Sequence, residues 1–148
     1  MQISQQGINF IKSFEGCKLE AYPCPAGVLT IGYGHTGEDV VIGLKITQEK
    51  ADELFKEDIS KFSHNVSFAL DTNDIKVNQH EFDMLVSLAY NIGYGAWLHS
   101  SLFDYLEKGD KLRAGNEFLK WNKVNKKPNM GLTRRRNAEY EIFRLGYM

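Results

Sequence analysis

At 148 residues, with 43% hydrophobic and 25% charged residues, the chain has the size and composition of one globular domain, which excludes a disordered tail and a coiled rod. No stretch approaches the roughly 18 apolar residues that span a bilayer, and Met1-Gln2-Ile3-Ser4 opens without the basic and apolar regions of a secretion signal. Two cysteines, Cys17 and Cys24, are too few for a disulfide scaffold and lack zinc-site spacing, so the chain is expected to fold in the cytosol without metal or cofactor, a Cys17–Cys24 disulfide being rare there. The net charge of −1 hides a division. Residues 1–110 carry 8 Lys and Arg against 16 Asp and Glu, and residues 111–148 carry 10 against 3. A basic C-terminal lobe of this kind attracts anionic polymers.

Residues 4–14 read as a short amphipathic helix with Ile8, Ile11 and Phe14 on one stripe. Residues 18–35 break the helical period. Pro23, Pro25, Gly27, Gly32 and Gly34 surround the β-favouring Val28-Leu29-Thr30-Ile31, which predicts a hairpin or small meander. Thr47 is an N-cap for a longer helix whose inner face is Ala51, Leu54, Phe55, Ile59 and Phe62. Asn78 and Glu81 have capping-box spacing and open the most apolar helix, which stops at Gly93 and is expected to be the central one. Ser100, Asp110 and about Asn129 start further helices, and Gly146 closes the last. Cys17, Trp97 and Trp121 read as core residues. The fold class is therefore α+β and mostly helical, in one domain over residues 1–148. A small β-hairpin lobe (about 15–60) leads through a long helix to a helical C-terminal lobe (about 65–148) on which the first helix packs, with a ligand cleft between the lobes.

The chemistry is expected around Glu15, at the C-terminal end of the first helix. A carboxylate there faces the negative end of the helix dipole beside an apolar face, and both favour the protonated form that a general acid uses. Such an acid is by itself usually a solvated side chain, and the spacing changes that weighing. Glu15 is followed after eight residues by Cys24, then after five by Thr30, which leads into Ile31-Gly32-Tyr33-Gly34-His35. This order resembles the signature of the phage-type lysozymes, glycoside hydrolase family 24, which includes the T-even phage lysozyme and the lambdoid endolysins. The resemblance runs on more weakly through Leu54-Phe55-Lys56-Glu57-Asp58, Ala89-Tyr90-Asn91-Ile92-Gly93, Ser100-Ser101-Leu102, Trp121 and Gly131-Leu132-Thr133-Arg134-Arg135-Arg136.

The resemblance implies a lysozyme-like fold and cleavage of the β-1,4 bond between N-acetylmuramic acid and N-acetylglucosamine in peptidoglycan. It places Glu15 as general acid, Cys24 at the position usually held by an aspartate that activates water or stabilises the transition state, and Thr30 as the residue orienting that water. Inversion is the family expectation, whereas direct attack by a Cys24 thiolate gives retention. It also implies a structural ion pair between His35 and Asp58, and sugar contacts from Tyr33, Tyr90, Asn91 and Ser101. The family's asparagine on the penultimate helix falls in register on Gly115, with Asn116 beside it. A lysozyme of this kind acts as a monomer on the cell wall. It is held in the host cytoplasm until a holin pore opens, and its basic lobe has anionic wall polymer or lipopolysaccharide as a further partner. Two other readings stay open. One is a non-catalytic wall-binding module, and the other is a cysteine amidase or peptidase using Cys24 and His35. Nucleic acid is not expected as a partner, since three arginines on a helix, Arg134 to Arg136, are more often a salt-bridged face.

Overall fold

The computed structural model describes residues 1–148. It is mostly helical with two small antiparallel sheets. In chain order the elements are α1 (Gln5–Phe14), β1 (Lys18–Pro23), β2 (Leu29–Gly32), α2 (Gln48–Thr72), α3 (Gln79–Ile92), α4 (Tyr94–Leu98), α5 (Ser101–Glu107), α6 (Lys111–Phe118), β3 (Lys123–Val124), β4 (Lys127–Pro128) and α7 (Met130–Leu145). The chain divides into two compact units, one of Met1–Ile8 with Phe62–Met148 and one of Asn9–Lys61. No helix is long and apolar enough to cross a membrane.

The helices begin where side chains satisfy their first amides. Thr47 Oγ1 accepts from Lys50 N at 3.1 Å. Asn78 accepts from Glu81 N at 3.0 Å while Glu81 accepts from Asn78 N at 2.9 Å, a complete capping box. Ser100, Asp110 and Asn129 cap α5, α6 and α7 in the same manner, and Gly93 and Gly146, both at positive φ, end α3 and α7.

In the larger unit α3 is buried from Glu81 through Ala89 and packs on α7, with α5 on α6 and α6 on α7. Trp97 stacks edge-on against Phe103 at 5.2 Å, and Phe118 meets Phe143 at 5.2 Å. Gly115 is buried in α6 with Phe143 at the distance a Cβ would just touch. Two carboxylates lie wholly inside this unit, and each is met by several donors. Asp83 accepts from Ser4 N (3.0 Å), the Ser4 hydroxyl, Gln79 Nε2 (2.8 Å) and the Tyr147 hydroxyl (2.7 Å). Gly7 passes so close that a Cβ there would lie 2.7 Å from Asp83 Cγ. Glu139 Oε2 accepts from Ser87 Oγ (2.5 Å), Arg136 Nη2 (3.1 Å) and Arg135 Nε (3.4 Å), and Oε1 lies 2.6 Å from Arg136 Nε as an ion pair.

That second cluster gives the Arg134 to Arg136 run the salt bridges expected of it, but Arg135 and Arg136 make them inside the unit and only Arg134 is exposed. Arg135 and Arg136 are buried, and they neutralise Glu139 because a guanidinium removed from water requires a carboxylate partner. Three further expectations change. Phe14 is exposed and meets Phe10 at 5.1 Å instead of joining the core. Cys17 is half-exposed, its sulfur 3.9 Å from Gln48 Oε1. Trp121 is only partly buried and lines a surface groove, whereas Trp97 is fully buried. Both cysteines are free thiols.

The smaller unit has a modest core of Ile31, Val40 and Leu54, with Ala21, Leu29, Leu44 and Ile46 packed on it. Its sheet pairs β1 with β2 in the register Tyr22↔Thr30 and Pro23↔Leu29. The chain then returns along β1, where Ala21 N donates to Leu44 O and Ile46 N to Leu19 O.

Candidate active site

The β1–β2 turn carries the first candidate residue, Cys24, and its residues follow its geometry. Gly27 N donates to Cys24 O at 2.7 Å and Cys24 N to Val28 O at 2.9 Å, leaving a three-residue loop of Pro25, Ala26 and Gly27. Proline supplies the fixed φ that such a turn begins with, and Gly27 takes the left-handed position at φ +82°. Cys24 thus sits at the mouth of a tight loop whose amides turn back on its sulfur. The Val28 N–H foremost, then that of Ala26, hold the thiol below its ordinary range. Desolvation opposes them, and the Thr30 hydroxyl and Gly27 N–H add smaller lowering contributions. Cys24 is therefore a partly exposed thiol whose pKa is lowered chiefly by the amides of its own turn.

Thr30 is buried on β2 and its hydroxyl donates to Val28 O at 3.0 Å while lying within hydrogen-bonding reach of Cys24. Glu15 follows the last residue of α1, half-buried, with its amide bonded to Ile11 O at 3.2 Å. Tyr22 connects these groups. Burial first, then the charges of Cys24 and of Glu15, push its phenol above the ordinary range, so both acids act on one hydroxyl. Glu15, Tyr22, Cys24 and Thr30 all belong to the unit Asn9–Lys61.

The Ile31-Gly32-Tyr33-Gly34-His35 run makes a reversal. Ile31 and His35 exchange both backbone hydrogen bonds (2.9 and 2.8 Å) around Gly32 and Gly34, which take φ +65° and +92°. Tyr33 is thereby turned inward, 9% exposed, its ring 5.0 Å from Phe55 and its hydroxyl accepting from Gln48 Nε2 at 3.1 Å. Lys12 Nζ lies 5.1 Å from the centre of the same ring. His35 is held on both ring nitrogens, Nδ1 2.7 Å from Asp58 and Nε2 2.9 Å from Asp39. Burial alone lowers the affinity of the ring for its second proton. The hydrogen bonds and charges of Asp58 and Asp39 outweigh that and raise the His35 pKa, while the same contact lowers that of Asp39. Asp39 escaped the sequence reading because nothing in its local context marks it, and Tyr22 because only strand register sets it opposite Thr30.

Tyr90, Asn91 and Ser101 belong to the other unit. The half-buried Tyr90 packs on Phe62 at 5.2 Å, and the exposed Ser101 is the first residue of α5. Asn91 helps to line a groove of about 520 Å³ together with Ile92, Trp121 and Leu132 and the lysines Lys120, Lys123 and Lys126. The β3–β4 hairpin carries two of these lysines, turning at Asn125 and Lys126, both at positive φ.

A hairpin bearing a thiol of lowered pKa beside a buried threonine hydroxyl follows a helix with a glutamate just past its end, inside a mostly helical, lysozyme-like fold. The family description that fits is "Phage lysozyme", whose model matches residues 12–139, and the chain belongs to that family. The endolysin of Bacillus phage B103 is 46% identical over 148 residues, which are 99% of this chain and 55% of that protein. The chain thus spans about half the length of the first curated relatives it matches. Among solved structures, the endolysin from Escherichia coli O157:H7 phage FAHEc1 superposes with a TM-score of 0.82 at 40% identity, covering 99% of this chain and 96% of that one. The muramidase domain of SpmX from Asticaccaulis excentricus gives a TM-score of 0.83 at 32% identity, with 96% and 97% covered.

Proposed function

We propose that the chain is an endolysin muramidase that hydrolyses the β-1,4 bond between N-acetylmuramic acid and N-acetylglucosamine in peptidoglycan. The observation that supports this reading is the Cys24 sulfur, its pKa lowered by the turn amides, within hydrogen-bonding reach of Thr30 and in the same compact unit as Glu15. Glu15 donates its proton to the leaving glycosidic oxygen. Water oriented by Thr30 loses a proton to the Cys24 thiolate and attacks the anomeric carbon, so the configuration inverts. An aspartate is ionised at neutral pH without help, whereas a thiol needs its pKa lowered, and the loop amides supply that lowering. His35 with Asp58 and Asp39 fixes the chain just past β2. Tyr33, Tyr90, Asn91 and Ser101 contact the sugars.

Two observations weigh against the other readings. A cysteine amidase needs a free imidazole nitrogen next to Cys24, and both nitrogens of His35 face carboxylates. A wall-binding module has no use for a lowered thiol pKa. The protein works as a monomer on the cell wall after holin-dependent release from the host cytoplasm, without cofactor or metal. Anionic wall polymer or lipopolysaccharide docks on the lysine-lined groove by charge, since residues 118–138 contain seven Lys and Arg and no Asp or Glu, and only Arg135 and Arg136 of these are buried. Nucleic acid is not a partner.

Purified peptidoglycan treated with the protein should gain reducing ends, and with Glu15→Gln should gain none. Release of free amines in place of reducing ends would overturn the assignment. Wall binding should weaken as salt rises and in Lys123→Glu/Lys126→Glu; a flat salt dependence would remove the electrostatic docking.

A further inference from the structure

We propose that Tyr22 is a positioning residue for the hydrolytic water, its hydroxyl holding that water between Thr30 and Cys24 on one face of the hairpin. The inference rests on the muramidase reading of Glu15, Cys24 and Thr30. Strand register is its foundation. Tyr22 lies directly across the antiparallel pair from Thr30, so the two side chains leave the same face. The ladder continues one step beyond β1 through the Cys24 N–H···O=C bond to Val28, which returns Cys24, two residues on, to that face. The phenol is partly buried, and the charges that act on it are those of Cys24 and Glu15. Because its pKa is raised, it remains a neutral donor whatever the protonation of its two acidic neighbours.

Hydrogen-bond capacity explains why a donor is needed there. The single Thr30 proton is committed to Val28 O or to the Cys24 sulfur, so toward a water the Thr30 oxygen acts as acceptor. Water bound beside it donates one proton to Thr30 Oγ1 and the other to the sulfur. One lone pair points at the anomeric carbon, and the other is left for the Tyr22 O–H. All four directions of the water are then fixed, which is the orientation a reacting water needs. In the chemical step the water oxygen bonds to the anomeric carbon while the glycosidic C–O bond breaks. One water proton passes to Cys24 and the Glu15 proton passes to the leaving oxygen. The enzyme is left with a thiol and a carboxylate, which are reset when the thiol loses a proton to solvent and Glu15 gains one.

Tyr22→Phe removes one oxygen and keeps the ring. On soluble peptidoglycan oligomers kcat should fall about tenfold, the scale of one lost hydrogen bond to a reacting group, with KM and the thermal midpoint unchanged. In a Cys24→Ala background, where the water is no longer held against sulfur, the same substitution should cost the residual rate nothing further. An unchanged kcat in the single variant, or an equal loss in both backgrounds, would overturn the proposal while leaving the muramidase intact. A wild-type protein that releases no reducing ends would instead remove the reading on which the proposal stands.

Discussion

The two compact units treat charge in opposite ways. In the unit of Met1–Ile8 and Phe62–Met148, the carboxylates of Asp83 and Glu139 are entirely buried and surrounded by donors, so their charge serves packing only. In the unit Asn9–Lys61, Glu15 and Cys24 are left half-open and His35 is shared between two carboxylates. The first unit has a large core of aromatic and aliphatic side chains, and the second centres on Ile31, Val40 and Leu54 with their partly buried neighbours. A locked charge adds definition to a fold, whereas a poised one can change protonation state during a reaction. The chemistry proposed for Glu15, Cys24 and Thr30 therefore belongs to the smaller unit, on a turn and just past a helix end, where side chains stay partly open to water.

The sharpest break in this comparison comes from exchanging effects on activity for effects on stability. Glu15→Gln should lower turnover by about 10²- to 10⁴-fold, the usual range for a lost general acid, with no change in the urea midpoint. Cys24→Ala should be severely impaired, while Cys24→Asp should keep activity with a lower pH optimum. Glu139→Leu should do the reverse, stranding the Arg135 and Arg136 guanidinia and costing about 3–5 kcal/mol of stability by urea unfolding. Gly7→Ala, which forces a methyl onto Asp83, should cost about 1–3 kcal/mol in the same assay. Asn78→Ala should cost about 1 kcal/mol by removing the α3 cap.

The histidine sharpens the comparison through pH. The folded-state pKa of His35 is raised by Asp58 and Asp39 after burial has opposed it, so its stabilisation is complete below the unfolded value and is lost as pH rises through the folded one. Unfolding of wild type and His35→Asn should therefore differ most at acidic pH, above the range where Asp39 takes up its proton, and converge toward alkaline pH. A difference unchanged by pH would separate His35 from both carboxylates.

What the sequence made legible follows from the range of the interactions involved. Thr47, Asn78 with Glu81, Ser100, Asp110 and Asn129 mark helix starts because a cap is made within three residues, and these all cap in the structure. The first hairpin was visible in Pro25 and Gly27 for the same reason. The β3–β4 hairpin was not. Its strands are two residues long, and its turn uses Asn125-Lys126 at positive φ where a glycine would have signalled it. The burial of Arg135 and Arg136 depends on Glu139 together with Ser87 from another helix, which helical periodicity cannot reveal. At the candidate site the spacing of Glu15, Cys24 and Thr30 was readable. The lowered pKa of Cys24 was not, because the backbone amides of a folded loop are its chief cause.

The direct measurement is the anomeric configuration of the first product, followed by proton NMR as peptidoglycan oligomers are cleaved. Attack by a water held between Thr30 and a Cys24 thiolate predicts new reducing ends that appear as the α anomer from the β-linked substrate. A β anomer formed first would mean that the sulfur bonds to carbon, and new amines without any reducing end would mean that the glycosidic bond is not the target.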